Sequence, residues 1–491
     1  MPMAPQKNMK KIPNRPSPAN RRDEERVTWQ TVVRVILIVL IILAMTGSFF
    51  LGIFASAYSL PLPKTPTAST SLAEHSQSRA LTQPIPLVYL ADNGLQEGDR
   101  IDGRPAEDYL AVTDDLPEVA APHAALFTKE GRIIFERDID TAVTMASTTK
   151  MMTAIIALET MPLDSQLAVT YGAANTGGTS AGLEAGMTIS LHDCLYALLL
   201  PSGNDAAVVI AENISGMESR FVELMNAKAV ELGMSSTQYV DASGLSYDGH
   251  YTTVRDYMLL TQYCMANLTF REIVSTSRYE VNVSGVALSL ETTDLLSYYL
   301  DEHIKPIGVK TGYTDEAGYC FVGAGQYNGL ELYTIVFDCE TPERRFVDTA
   351  NLLEWGFRHY RTIELINTTQ QVAEVALLSW LDQTVAAYVP VVVRIELFDL
   401  NGPIAQDITI NDIEGEATRG QVCGSIIWEQ GGEVLMTSAV VVDKTVLAPG
   451  FWEQLSIAWQ RFWGGFKDEP AHSETSILLR SELNIPAPLP S

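Results

Sequence analysis

The rhythm of apolar and polar positions changes several times along the chain, and each change marks an element. From Val35 to Ala57 the run VILIVLIILAMTGSFFLGIFASA carries no charge, a length that crosses a bilayer as a helix. Pro61 to Pro86 is rich in Pro, Ser and Thr and reads as a linker, and Leu87 to Glu118 is acidic with no assignable element. From Ala121, AALFTKEGRIIFERD sets two apolar stretches around Lys129-Glu130-Gly131, a hairpin signal. Helical spacing then predicts a helix from Ser147 through Leu158. Leu191 to Glu212 predicts two helices broken at Pro201-Ser202-Gly203-Asn204, and Phe221 to Leu232 predicts another. LELYTIVFD, Leu330 to Asp338, reads as a buried strand. Arg345 to Phe357 reads as an amphipathic helix with Phe346, Leu352, Leu353 and Trp355 inward.

Beyond about Leu365 the period shortens to strand-like alternation, as in VPVVVRIELF and EVLMTSAVVV, with Gly and Asn turns between. A small β-rich domain is expected there. GFWEQLSIAWQRFWGGF then aligns Phe451, Trp452, Leu455, Trp459, Phe462, Trp463 and Phe466 on one helical face. That stripe suits a helix lying in a membrane interface, the alternative being a helix that packs its aromatics on the β domain.

Charge sharpens the picture at the N-terminus. Residues 1–34 hold eight basic and three acidic side chains, a flank that stays cytoplasmic by the positive-inside rule. The rest of the chain is expected outside the cytoplasm, behind either an uncleaved anchor or a signal cleaved after Ala55-Ser56-Ala57. Without those 34 residues the net charge is −32, against −27 for the whole chain, which excludes nucleic acid as a natural partner. Five scattered cysteines, Cys194, Cys264, Cys320, Cys339 and Cys423, form no zinc pattern and read as small buried hydrophobes, with one disulfide left open. No metal or cofactor is implied.

Three short strings carry candidate chemistry. Ser147-Thr148-Thr149-Lys150 places a hydroxyl and an amine on one helix face, about 5–6 Å apart at Cβ. A serine needs a base within hydrogen-bonding reach, and a lysine serves only if burial or a nearby cation lowers its pKa. Met151, Met152, Ala154, Ile155 and Ile156 supply apolar neighbours. Ser202-Gly203-Asn204 offers a proton relay and an orienting amide, or simply a helix N-cap. Lys310-Thr311-Gly312 offers a second cation on a strand entering a buried site, with a glycine where backbone meets substrate, or simply an edge-strand lysine. Together, in this order and separation, they describe one serine acyl-transfer site.

S-x-x-K, S-x-N and K-T-G together resemble the signature of penicillin-binding proteins and serine β-lactamases. The surrounding text, ASTTKMMTA, LLLPSGNDAA, DASGLSYDGHYTTVRD and VKTGYTDEAGYCF, is similar to the D-alanyl-D-alanine carboxypeptidases. The likeness runs from about Ala121 to Tyr360, with a looser one over 370–448 and a tail that resembles that family's membrane anchor. It implies an α/β (α+β) transpeptidase-type fold: an antiparallel sheet flanked by helices, then the β domain. The expected order is a basic segment (1–34), an apolar segment (35–57), a linker and acidic stretch (58–118), a catalytic domain (119–365), a β domain (366–448), an interfacial helix (449–467) and a disordered tail (468–491).

The resemblance also implies roles. Ser147 would be the nucleophile and Lys150 its base, with Ser202 and Asn204 beside them. Backbone N–H groups of Ser147 and Tyr313 would hold the oxyanion. Lys310, Thr311, Gly312 and Arg345 would hold the substrate's carboxylate side. The implied partners are peptidoglycan stem peptides ending in D-Ala-D-Ala, β-lactam antibiotics as covalent inhibitors, and the cell membrane. Tyr313 departs from members that carry histidine there. A transpeptidase or β-lactamase using the same site, or a catalytically silent wall-binding protein, are the alternatives. The chain has no Glu-x-x-x-Asn string after Asn204 of the class A lactamase kind.

Overall fold

The computed structural model describes residues 95–246, 248–463 and 472–475. The apolar run at 35–57, the basic segment, the linker and most of the tail lie outside them. Among the described residues no helix is long and apolar enough to cross a membrane.

Two short strands, β1 (Arg100–Ile101) and β2 (Arg104–Pro105), come first, then the expected hairpin, β3 (His123–Thr128) and β4 (Ile133–Arg137). After the helical layer come three long strands, β5 (Lys305–Thr314), β6 (Gly318–Tyr327) and β7 (Leu330–Cys339). They join in one antiparallel sheet of order β2-β1-β4-β3-β7-β6-β5. The acidic stretch for which the sequence offered no element thus extends this seven-stranded sheet. What holds it is invisible in periodicity: Arg137 Nε and Nη2 donate to the Asp99 carboxylate at 2.7 and 2.6 Å, and Arg137 Nη1 donates to the Val119 carbonyl at 2.6 Å, all buried.

On one face of the sheet lie α1 (Lys150–Thr160), α2 (Leu191–Leu199) and α3 (Asn204–Ser215). They enclose a core that includes Met151, Ile155, Leu195, Val209 and Phe337. On the other face α4 (Arg344–His359) buries Phe346, Leu352, Leu353 and Trp355, as its spacing predicts. Each such side chain contributes roughly 2–3 kcal/mol of transfer free energy. Ser147 does not begin α1 as expected. It sits in a 3-10 turn, Ala146–Thr149, that leads into α1.

The second domain pairs Tyr360–Ile366 with Val393–Phe398 and adds a six-stranded sheet around Trp428, Val375 and Ile426. Before that sheet's last strand comes α5 (Phe451–Trp463), within the predicted 449–467; Glu474–Thr475 then pairs with Ala373 and Glu374, so this part of the expected disordered tail is a strand, held by backbone pairing rather than by any apolar pattern of its own. The structure does not support packing of the α5 stripe on the β domain: Phe451, Trp452, Leu455, Trp459, Phe462 and Trp463 are all exposed, Trp452 at 77% and Phe462 at 75%. Its link to that domain is polar, Arg461 Nη2 donating to the carbonyls of Leu378 and Trp380 at 2.8 Å each. All five cysteines are buried and free, so no disulfide forms.

Candidate active site

The nucleophile turn is shaped by a tight fit. Ala146 takes φ +46°, a conformation that costs a non-glycine residue about 1–3 kcal/mol. Its carbonyl abuts Gly244, at φ +81°, where a Cβ would lie only 1.8 Å from that oxygen. Gly312 on β5 approaches from the other side, where a Cβ would stand 3.2 Å from the Ser147 nitrogen and 3.1 Å from the Met145 oxygen. Glycine in the third motif therefore permits the strand to lie against the nucleophile's backbone. β5 is an edge strand, so alternate backbone groups face away from the sheet, where a peptide can pair with them.

Lys150 is fully buried, and its Nζ lies 2.7 Å from Ser147 Oγ, 2.6 Å from Asn204 Oδ1 and 2.8 Å from the Ser243 carbonyl oxygen. Two of these partners can only accept. The Asn204 orientation is fixed because its Nδ2 donates to the Gly177 carbonyl at 2.8 Å. A neutral amine has two N–H groups, and both are taken by these carbonyls. The lone pair is then left for the Ser147 hydroxyl to donate into. Burial lowers the Lys150 pKa to about 7, against opposing fields from Asp241 and Asp205. Lys150 is thus enclosed in the site rather than solvated on the helix surface.

Ser202 and Asn204 lie where the sequence placed them, but not as caps. Gly203 occupies the N-cap position of α3, and Asn204 is its first residue. Ser202 has φ +65°, and its buried Oγ has no hydrogen-bond partner. A hydroxyl held in a strained backbone with unused hydrogen-bonding capacity suits a proton relay.

Lys310 is buried on β5, its Nζ donating to the Thr311 carbonyl at 2.9 Å. Burial pushes its pKa well below the ordinary lysine value, and the charges of Lys150 and Arg345 push the same way. Thr311 Oγ1 shares a 2.6 Å hydrogen bond with Thr293 Oγ1. Arg345, on α4, donates from Nη1 to the Gly312 carbonyl at 3.1 Å, and its guanidinium lies 5.5 Å from the Tyr319 ring centroid. Its neighbour Arg344 is engaged elsewhere, pairing with Asp348 at 2.7 Å, which separates the two candidates. Tyr313 turns its ring outward, stacked on Tyr319 at 4.2 Å with its hydroxyl donating to Asp315 at 2.7 Å.

Of the nine residues picked from the sequence, Ser147, Lys150 and Asn204 are joined by hydrogen bonds, Gly312 abuts the nucleophile turn between Thr311 and Tyr313, Arg345 reaches the Gly312 carbonyl, and the Tyr313 ring turns away; three supports were missed. Asp241 accepts from the N–H groups of Ser243, Gly244 and Ser246 at 2.6–2.7 Å, fixing the Ser243 carbonyl on Lys150. Asp205 accepts from Ser180 Oγ and from the N–H groups of Ala181, Gly182 and Leu183, which ties that loop to the second motif. His250 accepts from the Val240 N–H at Nδ1 (3.1 Å), so its Nε2 carries the proton and donates to Thr149 Oγ1 at 2.7 Å. Burial lowers the His250 pKa, consistent with a neutral ring. The Asp-x-Ser-Gly string at 241–244 was a legible signal, because aspartate in such turns caps the following N–H groups.

Comparison with known proteins agrees with this geometry. Residues 110–341 match the family described as D-alanyl-D-alanine carboxypeptidase. The chain is 27% identical over 353 residues to the D-alanyl-D-alanine carboxypeptidase DacF of Bacillus subtilis, a match covering 69% of this chain and 89% of that protein. It is 31% identical over 250 residues to a D-alanyl-D-alanine endopeptidase of Pseudomonas aeruginosa, covering 49% and 78%. In fold it is similar to the D-alanyl-D-alanine carboxypeptidase DacD of Francisella tularensis, with a TM-score of 0.52 at 22% identity over 69% of this chain and 96% of that one.

Proposed function

Because this chain belongs to the D-alanyl-D-alanine carboxypeptidase family, we propose that Ser147 removes the terminal D-alanine from peptidoglycan stem peptides, with Lys150 as its base. The protein is a serine hydrolase of cell-wall metabolism, a low-molecular-mass penicillin-binding protein. The observation that carries the mechanism is the set of three partners around Lys150 Nζ.

In the forward step Lys150 takes the Ser147 proton as Oγ attacks the carbonyl carbon of the penultimate D-alanine. The oxyanion lies toward the N–H groups of Ser147 and Tyr313. The proton passes by way of Ser202 to the departing amine, the C–N bond breaks, and D-alanine leaves an ester on Ser147. Water then attacks the ester with Lys150 again as base, and the serine is restored. Lys310, Thr311 and Arg345 receive the peptide's free carboxylate, while the β5 edge pairs with its backbone. A β-lactam acylates the same serine and stays, because its leaving group remains attached. A transpeptidase, a β-lactamase and a silent wall-binding protein are not favoured by the family match.

The location proposed is the outer face of the cell membrane. The charge-free run at 35–57 behind a basic flank and the exposed aromatic face of α5 support it. N-terminal sequencing of the cellular protein distinguishes the two fates of the apolar run: a start at Tyr58 means cleavage. For the reaction, purified protein is incubated with a stem pentapeptide and an amine acceptor. Free D-alanine with tetrapeptide as product supports hydrolysis; a cross-linked peptide as main product overturns it in favour of transfer.

A further inference from the structure

Thr292 to Leu296 connect the strand Val286–Glu291 to the one-turn helix Leu296–Tyr298 and pass between two of the three motifs. The Thr293 N–H donates to the Leu200 carbonyl at 3.1 Å, just ahead of the Ser202 turn. The same residue's Oγ1 shares its 2.6 Å hydrogen bond with Thr311 Oγ1. This strap ties the second motif to the third. Asp294 is locked within it, since its N–H donates to Thr292 Oγ1 at 3.1 Å and its Oδ1 accepts from the Leu296 N–H at 2.8 Å.

Asp294 follows the residue whose Oγ1 bonds Thr311, which sets it beside the third motif, and the fields of Lys310 on β5 and Arg345 on α4 reach it there; Lys310 in turn feels Arg345 and, when that amine is protonated, Lys150. Lys150 has two carboxylates in its surroundings, Asp241 and Asp205. For Lys310 the carboxylate that opposes its loss of charge is Asp294. A buried ammonium close to another cation, here Arg345, loses its proton readily unless a counter-charge holds it, and a neutral amine is a poor receptor for a carboxylate.

We propose that Asp294 is a positioning residue of the carboxylate subsite: its negative charge keeps Lys310 protonated in the empty enzyme, ready for the peptide's free C-terminal carboxylate. This rests on the D-alanine-releasing reading above. The charges balance on binding, because Lys310 and Arg345 then face Asp294 and the substrate carboxylate, two against two. Burial raises the Asp294 pKa only to about 6, with the Leu296 N–H, Arg345 and Lys310 opposing. It is therefore mostly ionised at neutral pH.

Asp294→Asn keeps the shape and the acceptor for the Leu296 N–H while removing the charge. Two peptides are compared at pH 7.5, one ending in free D-alanine and one in its carboxamide. The ratio of their kcat/KM values falls at least about tenfold in the variant, as expected for loss of one charge-assisted contact. The fall comes through KM on the free acid, with kcat nearly unchanged. Lowering the pH of the variant moves the ratio back toward the wild-type value as Lys310 regains its proton, and Asp294→Glu retains most of it at pH 7.5. Equal losses on both peptides, or a loss confined to kcat, overturn the proposal. Asp294→Ser is the second uncharged variant if the asparagine form does not fold. Absence of D-alanine release by the wild-type protein counts instead against the hydrolytic reading, whatever the variants do.

Discussion

Buried Lys150 makes a quantitative demand on the pH dependence of acylation. At the ordinary lysine value of 10.5 about one molecule in three thousand holds a neutral amine at pH 7, whereas at the lowered value of about 7 roughly half do. The difference between the two forms corresponds to roughly 5 kcal/mol. Since folding lowers this pKa, the neutral base is present above about pH 7 and is lost as pH falls through it. Acylation by a fluorescent penicillin, followed as a second-order rate constant from pH 5 to 9, should fall about tenfold per pH unit on the acid side and level off above about pH 7. Lys310 faces Lys150, so the limb belongs to the coupled pair. Lys150→Arg, which has no neutral form in this range, should lose 10²–10⁴-fold, the usual worth of a general base. A rate still climbing tenfold per unit between pH 8 and 9, or an unchanged rate in the arginine variant, would refute the base assignment.

Three further outcomes rest on packing and charge. Gly244→Ala forces a methyl against the Ala146 carbonyl and should cost at least ~3 kcal/mol, seen as a lower urea midpoint together with slower acylation; unchanged values of both contradict the fit described. Arg137→Ala leaves Asp99 buried without its guanidinium and should cost about 3–5 kcal/mol, measured by the same denaturation; a loss below about 1 kcal/mol would show that the 95–121 segment is not held by this pair. In protein lacking residues 1–57, replacing Phe451, Trp452, Trp459 and Phe462 with serine should abolish flotation with vesicles and leave turnover of soluble peptide unchanged. Glu453 and Arg461 are the only charges on α5, so wild-type binding should be insensitive to salt between ~0.05 and ~0.5 M; strong salt dependence contradicts an aromatic anchor.

Local periodicity made much of the fold legible. The 121–137 hairpin, the helix break at Pro201, strand Leu330–Cys339 and the buried face of α4 all come from apolar spacing. Strands of two residues, such as Arg100–Ile101, are too short to have a period, and the Asp99–Arg137 pair that fixes them spans 38 positions. The site was legible because Ser147, Ser202 and Lys310 sit in short strings whose spacing is local. Asp241, Asp205 and Asp294 work through backbone N–H groups and through charge at a distance, which leaves little trace in spacing. Ser202 and Asn204 looked like helix caps because cap and catalytic residues draw on the same side chains. Only the positive φ at Ser202 and the Asn204–Lys150 contact separate the two uses.

The central claim is that Ser147 carries the acyl group from a stem peptide while D-alanine departs. Rapid quench of the protein with stem pentapeptide, followed by intact mass and peptide mapping, measures this directly. The account predicts a mass gain equal to the pentapeptide less D-alanine, located on Ser147, with free D-alanine formed in the same interval and neither product in Ser147→Ala. D-alanine release that persists in Ser147→Ala, or an adduct mapping to any other residue, would contradict it.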